Sequence, residues 1–509
     1  MPPLEPTQDP ASQLIIATII IAVFTVLALE KAHRVLVVVA AVSLIWAITY
    51  LTPFHLMPFE QSQAAVDLNV LLLLAAMMAV VGVLKSTGVF EWAVARLLRQ
   101  TGGHPYLVLF SITWFTAVLS AVGDNVTTVI FVTPMVIQMA RTMRISPVAL
   151  LLPMVMASNI GGTATLIGDP PNIMIGSGAH LTFVAFLLNL TAPVAVMMLF
   201  LPRISARYFA TDLREGAPAS EMTLDGTSPI LDPRLLRWSL WITAFIFLGF
   251  LTQGLTGMPT SVPATIGAGA LLVAQDVLYV RTHRPNHVSR QHKLLEIIEK
   301  EIEWPTLVFF LFLFVTVGAA VQTGLIDTLA GALAGSIQGA ASVLRLDQPA
   351  TLLLAAVLIA WVSGFFSAII DNIPFVAVMI PIIHRLSGEF TIDATVLWWA
   401  LALGACLGGN ATPVGASANL TVIGIAEKFG LRIGFAEFVR LGVRVAALSL
   451  GVSSLFLATH VYLGSRVAFA LWSAPVLVAA LVRGIARLRR RTDNEKATSN
   501  DTDSEIGEG

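Results

Sequence analysis

The chain is poor in charge. Only 12% of its 509 residues are Asp, Glu, Lys or Arg, while 56% are hydrophobic. A soluble protein carries roughly 25% charged residues. Half that amount cannot coat a water-soluble globule, so a cytosolic enzyme and a disordered chain are excluded. Net charge is −1, which offers no field to a polyanion, so no nucleic-acid partner is expected. Cysteine is nearly absent. With Cys406 alone, no intrachain disulfide and no multi-thiolate metal cage can form. The nine His residues show no zinc-binding spacing, and no P-loop for ATP occurs. A nucleophile–His–acid set within the apolar stretches is also missing, so the chain does not read as an enzyme.

What is present is long apolar sequence, with a mean hydropathy of +0.82. Stretches long enough to cross about 30 Å of hydrocarbon run over 14–30, 35–53, 69–85, 147–178, 180–202, 237–255, 262–280, 304–322, 394–425, 440–460 and 464–485. Two more regions, 105–142 and 350–386, are interrupted near the middle by Asp-Asn and read as re-entrant hairpins. Segments 88–100 and 325–345 read as amphipathic connectors. The expected fold is an all-α polytopic membrane protein whose first partner is the lipid bilayer.

Residues 1–13 form an N-terminal tail without Lys or Arg, and no small-residue cleavage site follows the first apolar run. The first helix is therefore expected to stay in the mature protein. Cations collect in one set of loops: Lys31 and Arg34; Lys85, Arg96 and Arg99; Arg141 and Arg144; the linker 203–236; the loop 281–303; and the residues after 394–425 and after the last span. The opposite loop 54–68 has Glu60 and Asp67 and no cation. Cytoplasmic loops are the basic ones. The N-terminus is then outside, the C-terminus inside, and the polar end 486–509 a disordered cytoplasmic tail.

Two parts of the chain repeat. SAVGDNVTTVIFVTP (120–134) and GGTATLIGDPPN (161–172) return as SAIIDNIPFVAVMIP (367–381) and GGNATPVGASAN (408–419). Asp124 and Asp371, Pro134 and Pro381, Thr165 and Thr412, and Asn172 and Asn419 all lie 247 positions apart, as do Trp114 and Trp361. Upstream, Gly82 and Gly88 match Gly318 and Gly324 at an offset of 236. The repeats are 14–202 and 237–460, each with five spans and one hairpin; 464–485 is an extra helix. Five is odd, so the second repeat enters the membrane inverted. Inverted repeats with matching Gly/Pro breaks mark secondary transporters, with the site where the breaks meet.

Residues 158–172 and 408–419 cannot be regular helix throughout, because of their glycines and prolines. Unwound backbone at membrane depth survives only when buried or facing a watery cavity. Small residues also serve close helix packing, but packing explains neither the Asn/Thr pairing nor the acids. Three carboxylates fall here: Asp124, Asp169 and Asp371. An ionised Asp at a helix centre costs about 2.5–3.5 kcal/mol and usually marks an ion or proton path. Asp124 and Asp371 also stand where they can cap the second arm of each hairpin. Asp169 has Ala416 as its repeat partner, which suggests either one proton- or cation-sensitive carboxylate or a turn residue. Around the acids stand Asn125, Thr127, Asn159, Thr163, Thr165, Asn172, Asn372, Asn410, Thr412, Ser417 and Asn419. Amides and hydroxyls suit Na+ or a neutral hydroxyl-rich solute and also hydrogen-bond an oxyanion. No Arg or Lys lies within the broken segments. Cys406 aligns with Asn159 and reads as a small buried residue.

At these motifs the chain resembles the ion-transporter superfamily with a citrate-transporter-like domain. The likeness is to the branch of arsenite/antimonite efflux permeases, NhaD-type sodium/proton antiporters, plant silicon effluxers and the melanosomal P protein. SAVGDNVTT followed by NIGGTATLIGDPPN carries it, and it covers about 14–460. The resemblance implies an inverted-repeat fold with scaffold and transport regions and coupled ion movement without ATP; dimers are common in that family, though no residue here marks a homodimer interface, and no cofactor is expected. It places the family's Asp-Asn positions at Asp124, Asn125, Asp371 and Asn372, and its GDPPN element at Gly168 to Asn172. Sodium/dicarboxylate symporters of the wider superfamily carry Ser-Asn-Thr at the hairpin tips. Asp-Asn-Val and Asp-Asn-Ile stand here instead, which argues against dicarboxylates.

The expected function is an integral inner- or plasma-membrane secondary transporter working by alternating access. Cation (sodium)/proton antiport comes first, with Na+ or H+ as coupling ion. Proton-coupled efflux of a small oxyanion or metalloid such as arsenite or silicate is the alternative, and a citrate-like carboxylate a further one.

Overall fold

The computed structural model describes residues 9–29, 31–215, 230–283 and 298–478. The tail 486–509, most of the N-terminal tail and the middle of the linker lie outside them. Among the described residues the chain is helical and contains no strand.

The first repeat comprises α1 (Pro10–Leu29), α2 (Arg34–Leu51), a short α3 (Phe59–Ala65), α4 (Leu68–Ser86), the connector α5 (Val89–Thr101), the hairpin arms α6 (Pro105–Val122) and α7 (Asn125–Thr142), the broken span α8 (Val148–Gly162) and α9 (Pro170–Gly178), and α10 (Phe183–Tyr208). A short α11 (Ala210–Glu215) follows. The second repeat comprises α12 (Pro233–Leu251), a short α13 (Gln253–Thr256), α14 (Ser261–His283), α15 (Trp304–Gln322), the connector α16 (Leu325–Leu344), the arms α17 (Gln348–Ser367) and α18 (Asn372–Ser387), the broken span α19 (Val396–Gly408) and α20 (Ser417–Lys428), and α21 (Phe435–Leu463). The extra helix α22 spans Ser465–Val478 among the described residues. Among the described residues ten helices are long and apolar enough to cross a membrane, the first arms of the two hairpins included. The halves of the broken spans are shorter, as their glycines and prolines require.

Local chemistry sets the helix starts. Asp67, Asp232 and Asp347 each stand just before a helix and accept its first free amides, as at Val70 (3.2 Å) and Ala350 (2.9 Å). Gly88 (φ 75°) and Gly324 (φ 76°) turn α4 into α5 and α15 into α16 through the left-handed region. A side chain is disfavoured at both, which explains why these glycines repeat.

Contacts tie the loops into two sets. On one side Lys85 pairs with Glu301 (2.9 Å), Leu231 N–H donates to the Thr87 carbonyl (2.9 Å), and Arg141 donates to the Phe429 carbonyl (2.7 Å). On the other, Ser261 N–H donates to Asn69, Phe183 N–H donates to Gln253, and Arg385 pairs with Asp327. So α4 runs from the second side to the first, and its repeat partner α15 runs back. The repeats are inverted, as an odd number of spans requires. The hairpin α6/α7 opens to the first side and α17/α18 to the second.

Packing follows the same symmetry. α4 lies on α14 and α2 on α15, forming an outer frame. α6 packs along α8 and α17 along α19. All 15 residues of α8 and all 13 of α19 are buried, so these two are the central helices. Glycine permits the closeness: a methyl on Gly161 collides with the Ala117 backbone, and one on Gly408 with Gly364. Across the repeats α7 meets α20, and α18 meets α9. The second arm of each hairpin therefore packs against the opposite broken span.

Candidate functional site

Asp124 and Asp371 sit at the hairpin tips and cap α7 and α18. Asp124 Oδ2 accepts from Thr127 N–H (2.8 Å) and the Thr127 hydroxyl (2.7 Å). Asp371 Oδ1 accepts from Ile373 N–H (3.4 Å). Pro374 occupies the place of Thr127, so no hydroxyl is available from that position. Asp371 Oδ2 takes the Ser417 hydroxyl instead, at 2.5 Å, from the second broken span.

The breaks are held alike in the two halves. Ser120 donates to the Ser158 carbonyl (2.8 Å) and Ser367 to the Ala405 carbonyl (2.5 Å). Thr165 donates to the Ala121 carbonyl (2.6 Å) and Thr412 to the Ala368 carbonyl (2.5 Å). The amide of Asn172 donates to the carbonyls of Gly162, Thr163 and Thr165, and that of Asn419 to those of Gly409 and Thr412. These carbonyls have lost their helical partners, and a dry interior provides no water. The two asparagines keep each break folded.

Polar residues cross the repeat interface at the centre. Asn159 donates to Asn410 Oδ1 and Asn419 Oδ1, both at 3.0 Å, and accepts from Asn125 at 3.3 Å. The matching contact in the other half is the Cys406 thiol on Asn172 Oδ1 (3.5 Å). Asn372 donates to Asp169 Oδ2 at 3.3 Å, and Asp169 is 1% exposed. The acid without a repeat partner thus lies at the tip of the second hairpin.

Three buried polar atoms here have no partner: Asp124 Oδ1, Asn125 Oδ1 and Asn410 Nδ2. A buried polar atom left unpaired costs about 1–3 kcal/mol, more when charged. Two adjacent residues thus hold unpaired acceptors at one hairpin tip. The Thr163 hydroxyl donates to its own helix at Asn159 O (2.8 Å). With Thr165 and Thr412 it spends its proton on backbone, leaving only oxygen lone pairs.

The structure also brings in a cation. Arg34, at the start of α2, donates to the Ser417 hydroxyl (3.3 Å) and to Thr306 Oγ1 (2.7 Å), and lies over the Phe309 ring. Thr306 donates to Glu303 (3.0 Å). Arg34 and Ser417 are 383 positions apart, and in the sequence Arg34 is one more loop cation. No spacing signal could have paired them. A cavity of about 350 Å³, lined by His33, Arg34, Glu303, Asp371, Ser417 and Thr421 among others, opens from this side to Asp371. Burial and the neighbouring Asp124 charge raise the Glu303 carboxyl above the ordinary glutamate range, against the Thr306 hydroxyl and Arg34. A cavity of about 840 Å³ on the other side is walled by residues such as Met57, Met174, Phe314, Ala377 and Ile380, and no Asp or Asn of the broken segments or hairpin tips lines it.

The family model of citrate transporters matches residues 19–404. The chain belongs to this citrate transporter family. A relative from Mycobacterium bovis, named an uncharacterized transporter, is 34% identical over 449 residues, covering 87% of this chain and 97% of the relative. The human P protein is 30% identical over 537 residues, covering 89% of this chain and 61% of that protein. Among solved structures, the YdaH transporter of Alcanivorax borkumensis aligns with a TM-score of 0.56 at 16% identity, covering 85% of this chain and 99% of that one. That likeness concerns the fold. With its family, the chain is an integral membrane transporter and not an enzyme.

Proposed function

We propose that the chain is a sodium/proton antiporter of the inner or plasma membrane, working by alternating access. The observation that carries this reading is the pair of buried, unpartnered oxygens on Asp124 and Asn125. A carboxylate and an amide oxygen are hard ligands, suited to a small hard cation. Asp169, buried one hydrogen bond from the other tip, is the proton-carrying carboxylate in this reading. The set of loops that contains Arg34, Lys85 and Arg141 faces the cytoplasm, following the bias of basic loops. The cavity lined by Arg34, Asp371 and Val126 then opens from the cytoplasm to the residue beside the Asp124–Asn125 pair, and access from the other side needs movement of the inner helices against the outer frame.

A second reading is proton-coupled carriage of a small oxyanion or carboxylate. Arg34 at the cavity favours it, because a guanidinium suits such anions. Purified protein in proteoliposomes under an imposed pH gradient separates the two. Sodium-dependent proton exchange, absent with arsenite, silicate or citrate, is the expected result. Uptake of one of those solutes without sodium–proton exchange would overturn the antiport reading.

A further inference from the structure

The two hairpin tips are built alike and finished differently. At the first tip, Asp124 Oδ1 and Asn125 Oδ1 are buried without partners. At the second, both oxygens of Asp371 accept hydrogen bonds, one of them from Ser417, whose oxygen in turn accepts from the Arg34 guanidinium. The first break has Pro170 where the second has Ser417, so no hydroxyl can make the equivalent link to Asp124. Arg34 belongs to the outer frame, on α2 against α15, whereas Ser417 and Asp371 belong to the inner helices. His33, Glu303 and Asp371 are the other titratable groups lining the cavity.

We infer that Arg34 is a tethered cation that occupies, through Ser417, the cation position of the Asp371 tip, leaving one station for a transported cation at Asp124 and Asn125. Arg34 is a positioning residue here: it acts on Asp371 through the Ser417 hydroxyl. An always-charged guanidinium keeps Asp371 paired whether or not substrate is present. This rests on the reading that Asp124 and Asn125 hold the transported ion. The bridge also joins frame to inner helices, so it must break or travel when the inner helices move.

The test uses the full chain with Arg34→Lys, Arg34→Gln, Asp371→Asn and the double variant Arg34→Gln/Asp371→Asn. Each neutral single variant leaves one half-buried charge without its partner, and transport should fall about tenfold or more. The double variant removes both charges and should recover most of that loss, as coupled pairs do. Arg34→Lys keeps the charge and should keep most activity. In Arg34→Gln the freed Asp371 takes a second external ion, so the sodium Hill coefficient should rise above that of the wild type. Additive losses in the double variant, or an unchanged Hill coefficient in Arg34→Gln, overturn the inference. A purely structural bridge from Arg34 to Thr306 gives a loss that Asp371→Asn does not rescue. If the wild type moves no sodium, the antiport reading fails on its own. Thermal unfolding in sodium-free choline chloride then decides the Arg34 pairing: the double variant should melt above both single variants, and a melting point below either overturns it.

Discussion

The two broken spans invite comparison because so much of them is superimposable in kind. Ser120 and Ser367, Thr165 and Thr412, and Asn172 and Asn419 make matching hydrogen bonds in their own halves. The differences fall on a few positions. Asp169 aligns with Ala416 in the repeat, Pro170 with Ser417, Thr127 with Pro374 and Asn159 with Cys406. The shared Ser, Thr and Asn residues hold backbone, and the unshared ones set what surrounds the shared acids Asp124 and Asp371. Duplication therefore supplied a frame of two equal breaks, and the chemistry lies in the places where the halves disagree.

The largest effects should come from removing the acids. Asp124→Asn takes away the proposed ion ligand and should reduce sodium transport at least 100-fold. Unlike Asp371→Asn, it should gain nothing from Arg34→Gln, which sets the two tips apart in a flux assay. Asp169→Ala makes the halves alike at that position. It should leave folded protein with transport lowered about tenfold or more and no longer varying with pH, as removal of a proton-exchanging group requires. Equal pH dependence in variant and wild type would remove Asp169 from the mechanism.

Smaller effects test the shared frame. Gly161→Ala and Gly408→Ala drive a methyl into the neighbouring helix backbone and should each destabilise by about 1–3 kcal/mol. Thermal unfolding in detergent should place the two close together; a harmless substitution at one of them would break the symmetry. Asn172→Ala and Asn419→Ala each strand carbonyls and should cost about 1–3 kcal/mol per unpaired group. The smallest effect concerns Glu303. Its carboxyl titrates above the ordinary value of 4.5, so the folded state holds a proton that the unfolded chain has released. Stability should therefore fall as pH climbs from that value and level off once the folded carboxyl has ionised. Glu303→Gln should flatten this part of the melting curve against pH.

Much of this was legible in the chain. The span 304–322 is the helix Trp304–Gln322, and the hairpins turn at the Asp-Asn pairs. The 247-residue offset announced the duplicated breaks, because a glycine pressed on a backbone and an asparagine holding freed carbonyls leave few acceptable substitutes. Asn172 and Asn419 read as ligands in the sequence. Their amide nitrogens donate to the breaks, and their oxygens accept from Cys406 and Asn159 across the interface. Arg34 was hidden for another reason. It counts with the loop cations, and only the packing of α2 against α15 carries it to Ser417. Short helices such as α3 and α11 were also hidden, being too brief for a hydrophobic period to appear.

The central claim is that the halves are unequal, with one ion station at Asp124 and Asn125 and a resident arginine at the other tip. Isothermal titration of the purified chain with sodium chloride, against choline chloride, addresses it most directly. One sodium per chain is expected in the wild type and in the double variant Arg34→Gln/Asp371→Asn, and none in Asp124→Asn. Two sodium ions per wild-type chain, or undiminished binding in Asp124→Asn, would contradict it.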